Sequence, residues 1–252
     1  MSEFDAFARY YDADYGGFED DVPFYRELAR RAGGRVLEAM CGTGRLLLPL
    51  AQAGLRVAGV DVSGALLDRA RARLDAAGVL ERAELIEADI RERAPCGPFA
   101  LAIVAINSFM HLASADDQLA ALGQIHAALR PGGLLAIDLF NPDPRALAEQ
   151  HGALVLDKRF TLEDGTRVQK FVAQQSDMAE QTSHVTFIYD EIDAEGRVRR
   201  GELPFAMRWL YRYELEHLLA RAGFAIEAVY GSYELDEYAS GAELMLTVAR
   251  KA

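Results

Sequence analysis

From residue 22 onward the apolar positions of the chain switch between two spacings. Over 22–32, 45–53, 63–77 and 116–129 they recur every three or four residues, as on one face of a helix. Over 35–38, 56–61, 84–87, 99–106 and 134–139 they form short runs rich in β-branched residues. Such runs, separated by helical segments, predict a parallel sheet whose strands are buried by helices packed on its faces. Local punctuation agrees: Ser63 suits a helix N-cap, Gly78 a helix end, and Pro131-Gly132-Gly133 a stop before the next strand. After Pro142 and Pro144 the spacing falls to two, and 154–210 predicts an antiparallel meander of about four strands turning at Asp164-Gly165 and Glu195-Gly196. A helix at 212–222, ended by Gly223, and strands at 224–230 and 242–250 return to the first pattern. The expected organisation is an N-terminal lid segment at 1–21, an α/β domain at 22–145 and 212–252, and an inserted meander at 146–211.

Charge narrows the partners. Lysine and arginine total 27 against 39 acids, a formal charge of −12, which repels a phosphate backbone and argues against nucleic acid as substrate. The two cysteines, Cys41 and Cys96, suggest neither a disulfide framework nor a zinc cluster. No apolar stretch approaches the roughly 18 residues of a membrane span, and the first residues lack the basic and apolar blocks of a secretory signal. The expectation is a cytoplasmic protein with no metal and no membrane partner.

The most informative stretch is Arg35-Val36-Leu37-Glu38-Ala39-Met40-Cys41-Gly42-Thr43-Gly44-Arg45, a strand running into a glycine turn and then a helix. Gly42 and Gly44 allow a close backbone approach to a ligand, and the amides of the following helix point into the same crevice. Asp61 ends the next strand close to the roughly 20 positions at which an acid grips ribose hydroxyls. A dinucleotide fingerprint would place a third glycine where Leu47 stands. Glu38, just before the turn, would repel a pyrophosphate and suit a ligand carrying an ammonium group.

E-x-x-C-G-T-G at 38–44, V-D-V-S at 60–63 and E-A-D-I at 87–90 together resemble the class I S-adenosylmethionine-dependent methyltransferases, and the resemblance runs over nearly the whole chain. It implies a Rossmann-like seven-stranded sheet with its last strand antiparallel and a β-meander inserted after strand 5. It also implies roles: Glu38, Gly42 and Gly44 for the methionine moiety, Asp61 for the ribose, Asp89 for the adenine amino group, and Val62 and Ile90 as the adenine's apolar neighbours. Ile106, at the end of the fourth strand, joins this cofactor-binding set. Y-D-x-x-Y at 11–15 is similar to amino sugar N,N-dimethyltransferases, in which the second tyrosine approaches the cofactor's carboxylate; that role falls on Tyr15. An arginine that follows it there has no counterpart here, which leaves its charge to Arg45.

N-S-F-x-H-L at 107–112 is similar to the loop that faces the methyl group in glycine N-methyltransferases and the amino sugar enzymes. Asn107 and His111 are therefore the candidate catalytic residues, His111 as a base with an unperturbed pKa near 6.5, the alternative being a scaffold residue bonded to a carbonyl. Phe140 occupies the position at which glycine methyltransferases carry an arginine for the acceptor's carboxylate, so glycine itself is not expected as substrate. Phe205, Met207, Trp209 and Tyr211 alternate and would share one strand face, roofing the acceptor, filling the insertion's own core or meeting a second subunit. The expected reaction is methylation of a small molecule, with nitrogen favoured over oxygen, by a monomer or homodimer. Methylation of a macromolecule and non-catalytic cofactor binding are the rival readings.

Overall fold

The computed structural model describes residues 3–252. A 3-10 turn (Glu3–Phe7) leads into α1 (Ala8–Tyr15) and α2 (Val22–Ala32). Then follow β1 (Val36–Ala39), α3 (Leu47–Gln52), β2 (Val57–Asp61), α4 (Gly64–Ala76), β3 (Ala83–Glu87), β4 (Phe99–Val104), α5 (Ala115–Ala128) and β5 (Leu129–Phe140). After α6 (Pro144–Gln150) come the four strands of the insertion, β6 (Leu154–Thr161), β7 (Arg167–Asp177), β8 (Thr182–Ile192) and β9 (Val198–Arg208), and then α7 (Arg212–Arg221), β10 (Phe224–Tyr230) and β11 (Leu244–Lys251).

The main sheet runs β10-β11-β5-β4-β1-β2-β3, with β11 antiparallel to both neighbours, as the resemblance implied. Side-chain alternation divides its burial between two layers. Val36, Val57, Leu101 and Ile103 face α2, α3 and α4, while Leu37, Ala58, Ala102 and Val104 face α5 and α7. The Ser63 hydroxyl accepts the Leu66 amide and caps α4. Two stretches differ from the sequence expectation. Residues 8–15 and 144–150 are helical although their apolar spacing is weak; Asp143 caps the second by accepting the Arg145 amide, and Pro144 occupies its first turn. The β5 strand also begins at Leu129 rather than after the glycines, because Gly132 takes a φ of 68° that lets the chain pass through this segment without leaving the sheet.

The insertion is a separate antiparallel sheet, β6-β7-β8-β9, turning at Gly165 and Gly196 with φ of 84° and 80°. Its inner face, with Val168, Tyr189 and Leu203, packs on Phe7 and on the tyrosines of α1. It thus stands over the carboxyl edge of the main sheet with the N-terminal segment between them. No helix among the described residues is long and apolar enough to cross a membrane.

Candidate active site

Parallel neighbours point the same way, so the carboxyl ends of β1, β2, β3 and β4 share one edge of the sheet. A cavity of about 710 Å³ opens along that edge, floored by the strand ends and roofed by the N-terminal segment and the inner faces of β8 and β9. Asp61 lines it. One carboxylate oxygen accepts the Gly42 amide at 2.8 Å and the other the Ser63 amide at 2.9 Å, so this side chain joins the turns after β1 and β2. Burial pushes its carboxyl above the ordinary range while those backbone donors act in the opposite direction. Gly42 has a φ of 53°, and a Cβ there would stand 3.3 Å from the Tyr11 hydroxyl; both residues line the cavity. Gly44 does not line it. With a φ of 67° and a Cβ position 3.1 Å from the Ala70 Cβ, it serves the close packing of α4.

Two residues expected at the cofactor's tail stand behind the glycine turn rather than on the cavity wall. Arg45 grips buried Asp21 through two guanidinium bonds of 2.8 and 2.5 Å and donates to the Phe18 carbonyl at 2.8 Å, so its charge is already engaged. Glu38 alternates with Val36 onto the α2 side of the sheet, where one of its oxygens, Oε2, is buried without a hydrogen-bond partner. Burial pushes its carboxyl up to about 8, although nearby Arg45 draws it down. The raised folded-state value sets the sign of a pH effect: the fold favours protonated Glu38, so ionisation weakens it increasingly as pH rises from about 4.5 towards 8. Glu38→Gln is expected to remove this component, leaving the unliganded variant with a higher Tm than wild type at pH 9 and little difference at pH 5. Equal Tm differences at both pH values would show that Glu38 is already ionised in the fold.

At one end of the cavity Val62, buried Ile90 and Asp89 meet, together with Glu87, to which the resemblance gave no role, and Arg91, which lies outside the motifs. Arg91 clasps Asp89 at 2.5 Å and reaches Asp117 at 2.8 Å, holding the Asp89 carboxyl below the usual carboxylate range. At the other end the chain leaves β4 through two consecutive left-handed residues, Ile106 (φ 47°) and Asn107 (φ 59°). A β-branched residue there stores about 1–3 kcal/mol of strain, which persists only where the surroundings impose it. Here the Ile106 amide donates to an Asp138 carboxylate oxygen at 3.3 Å, the Asn107 amide to the Asp138 carbonyl at 3.1 Å, and the Phe140 amide to Asn107 Oδ1 at 2.6 Å. Asp138 also accepts the Tyr233 hydroxyl. The bend presents Ile106, Asn107, Ser108 and His111 to the cavity, whereas Phe140 stays off its wall. His111 packs edge-on to Phe4 at 5.2 Å and near Phe205 at 5.4 Å, and its ring is hydrogen-bonded to the Ala206 backbone. Burial among these groups pushes its pKa down to about 4, away from the value near 6.5 that suits a base.

The roof is fastened to both halves of the molecule. Asp12 of α1 pairs with Arg69 and Arg73 of α4, and buried Asp14 pairs with buried Lys170 at 2.7 Å and with Lys158 at 3.0 Å on the insertion. Tyr15, on the cavity wall, has the ammonium groups of Lys158 and Lys170 each 5.1 Å from its ring centre. Phe205 and Met207 of β9 face the cavity along with Phe187 and Leu203. The strand ends at Arg208, so the alternation does not extend further: Trp209 enters the main core and Tyr211 is exposed at the start of α7. Among the described residues no group of three His, Cys, Asp or Glu side chains is placed to hold a metal ion.

Residues 36–133 match a family model described as a methyltransferase domain. The chain is 28% identical to the cypemycin N-terminal methyltransferase of a Streptomyces species, over 87% of this chain and 84% of that protein. The chain carries a methyltransferase domain. Against several other curated relatives the methyltransferase spans about half of their length. Its fold is that of the CcbJ methyltransferase from Streptomyces caelestis (TM-score 0.78, 23% identity, 96% of each chain). It is also that of the sugar N-methyltransferase KedS8 from Streptoalloteichus sp (TM-score 0.74, 21% identity, 97% of this chain and 92% of that one).

The residues present suit an S-adenosyl group. Gly42 brings the backbone of the glycine turn onto the cavity wall beside Tyr11 with no Cβ in the way, whereas Glu38, buried behind the turn, does not reach the wall. Each Asp61 oxygen, though bound to one amide, can accept a second hydrogen bond from a sugar hydroxyl.

Proposed function

We propose that the methyltransferase transfers a methyl group from S-adenosylmethionine to a nitrogen of a small-molecule acceptor, and that the Asn107–His111 end of the cavity is where the acceptor sits. The observation that carries this reading is the continuity of one cavity from Asp61, Val62, Asp89 and Ile90 at one end to Asn107, Ser108 and His111 at the other. Asp61 would hold the ribose hydroxyls, Asp89 the adenine amino group between Val62 and Ile90, and Gly42, Ile106 and Tyr15 the wall along the methionine portion. Glu38 and Gly44 shape that region from behind the wall. Arg45 acts indirectly, by anchoring the segment before α2 through Asp21 and Phe18. Nitrogen as the acceptor atom is supported by the likeness to the cypemycin N-terminal methyltransferase and to the sugar N-methyltransferase KedS8. A small acceptor is supported by the enclosing roof, and the −12 charge speaks against nucleic acid. We take the protein to work in the cytoplasm, as a monomer or homodimer.

S-adenosylmethionine supplies a methyl group on a sulfonium that leaves as a neutral thioether, so the chain provides no acid for the leaving group. Positioning in a dry cavity supplies most of the acceleration. The positive charge given up by sulfur passes to the acceptor nitrogen, which sheds a proton before or during attack. His111 is neutral at pH 7, and a neutral imidazole donates through one nitrogen and accepts through the other. It orients the acceptor's N–H and takes up its proton only in passing. With the ring pushed down to about 4, rate against pH is expected to show no limb near 6.5 due to this residue.

The test uses S-adenosylhomocysteine and His111→Ala. Millimolar S-adenosylhomocysteine is expected to raise the Tm of wild type and variant alike, NADH to raise neither, and turnover of an amine acceptor to fall roughly 100-fold in the variant. Protection by NADH alone would end the cofactor assignment. An unchanged rate would reduce His111 to scaffold.

A further inference from the structure

The acceptor end of the cavity differs in character from the cofactor end. Its wall is formed by Phe4, Phe7, Phe187, Leu203, Phe205 and Met207, with Asn107, Ser108 and His111 as its polar groups. Two of those are partly engaged: Asn107 Oδ1 by the Phe140 amide, and the Ser108 hydroxyl by the Ala105 carbonyl at 2.7 Å. Among the described residues Arg91 is the one cation on the cavity wall, and it lies at the adenine end in the grip of Asp89 and Asp117.

The nearest cations behind the acceptor wall are neutralised too. Lys170 sits 3.9 Å from the centre of the Phe187 ring, but it pairs with Asp14 and Asp157, and Lys158 pairs with Asp14. Arg208 alternates away from Met207 on β9 and reaches Glu214. The carboxylates and cations on the wall are Asp61, Glu87, Asp89 and Arg91, an excess of acid, while His111, Tyr11 and Tyr15 are held neutral by burial. An anionic acceptor would therefore lose its hydration, meet no counter-charge and feel a negative field. An aromatic or alicyclic body would instead bury its surface against the rings and against Met207, which adapts its shape to irregular partners.

Resting on the methyl-transfer reading, we propose that the acceptor is an amine carried on an apolar, ring-bearing body that has no carboxylate or phosphate. Phe205 and Met207 are its specificity-determining residues, since a cation at either position would face the acceptor.

Matched pairs test this on the wild-type protein: phenethylamine against phenylalanine, tyramine against tyrosine, and tryptamine against tryptophan, each differing by one carboxylate. The expected result is a kcat/KM for S-adenosylhomocysteine formation at least about 100-fold higher for the amine of each pair. Phe205→Arg and, independently, Met207→Arg are expected to narrow that ratio by about tenfold or more, with protection by S-adenosylhomocysteine as the check that each variant is folded. A ratio near one, or in favour of the carboxylated member, overturns the inference. If nothing is turned over, calorimetric binding in the presence of S-adenosylhomocysteine decides. Amines that bind where their acids do not would uphold the acceptor class while sinking methyl transfer, and no binding by any of the three amines overturns the class itself.

Discussion

Asp61→Asn is expected to abolish protection by S-adenosylhomocysteine at concentrations that saturate wild type, and to lower the Tm of the unliganded protein as well. Both oxygens of Asp61 already accept a backbone amide, from Gly42 and from Ser63. An asparagine amide is isosteric, but whichever way it turns, its NH2 faces one of those donors and leaves it unsatisfied. That costs about 1–3 kcal/mol of stability. The ribose would lose a charged acceptor at the same time, and hydrogen bonds to charged groups contribute about 1.5–3 kcal/mol each. Two such bonds amount to roughly 100-fold or more in affinity. Titration calorimetry reads the second effect and thermal denaturation the first. Wild-type affinity in Asp61→Asn would mean that the carboxylate only staples the two turns together.

Lys170→Ala carries the largest expected loss of stability. Lys170 is 2% exposed and the Asp14 carboxylate it pairs with is fully buried, so removing the ammonium leaves that charge with half-exposed Lys158 and the Tyr189 hydroxyl at 3.4 Å. Breaking a buried pair from one side costs about 3–5 kcal/mol, which in a chain of this length lowers Tm by roughly 6–15 °C. Because the pair joins α1 to the insertion, the roof over the cavity loosens with it, and affinity for S-adenosylhomocysteine is expected to fall. Replacing both partners by apolar residues, Asp14→Leu with Lys170→Met, is expected to recover most of the lost Tm, since the penalty comes from the stranded charge rather than from lost attraction. A single variant as stable as wild type would show that water already reaches Asp14.

Several residues of the candidate site are legible in the sequence because their signals are local. A glycine turn after an apolar strand, an acid closing the next strand, and N-S-F-x-H-L closing the fourth can each be read within a dozen residues. Parallel pairing then brings those strand ends to one edge without further information. The limits of local reading show in particular side chains. Gly42 and Gly44 are two residues apart and both have positive φ, yet the first faces the cavity and the second faces Ala70 of α4. Arg45 offers the right charge beside the turn, but Asp21 claims it. His111 keeps its place while its pKa falls to about 4, because Phe4 and Phe205 come to it from distant parts of the chain.

What the amino-acid order determined by itself is the alternation of strands and helices, the meander with its two glycine turns, and the set of polar residues at the strand ends. All of these follow from backbone sterics and from hydrophobic spacing over a few residues. Only the tertiary structure decided which face of β8 and β9 roofs the cavity, that α1 is clamped to the insertion through Asp14 and Lys170, and that the Asn107–His111 end of the cavity holds rings and, among the described residues, no free cation. Those outcomes depend on pairings between segments some 150 residues apart, which leave no periodic trace in the sequence and are selected only when burial makes an unpaired charge too costly to keep.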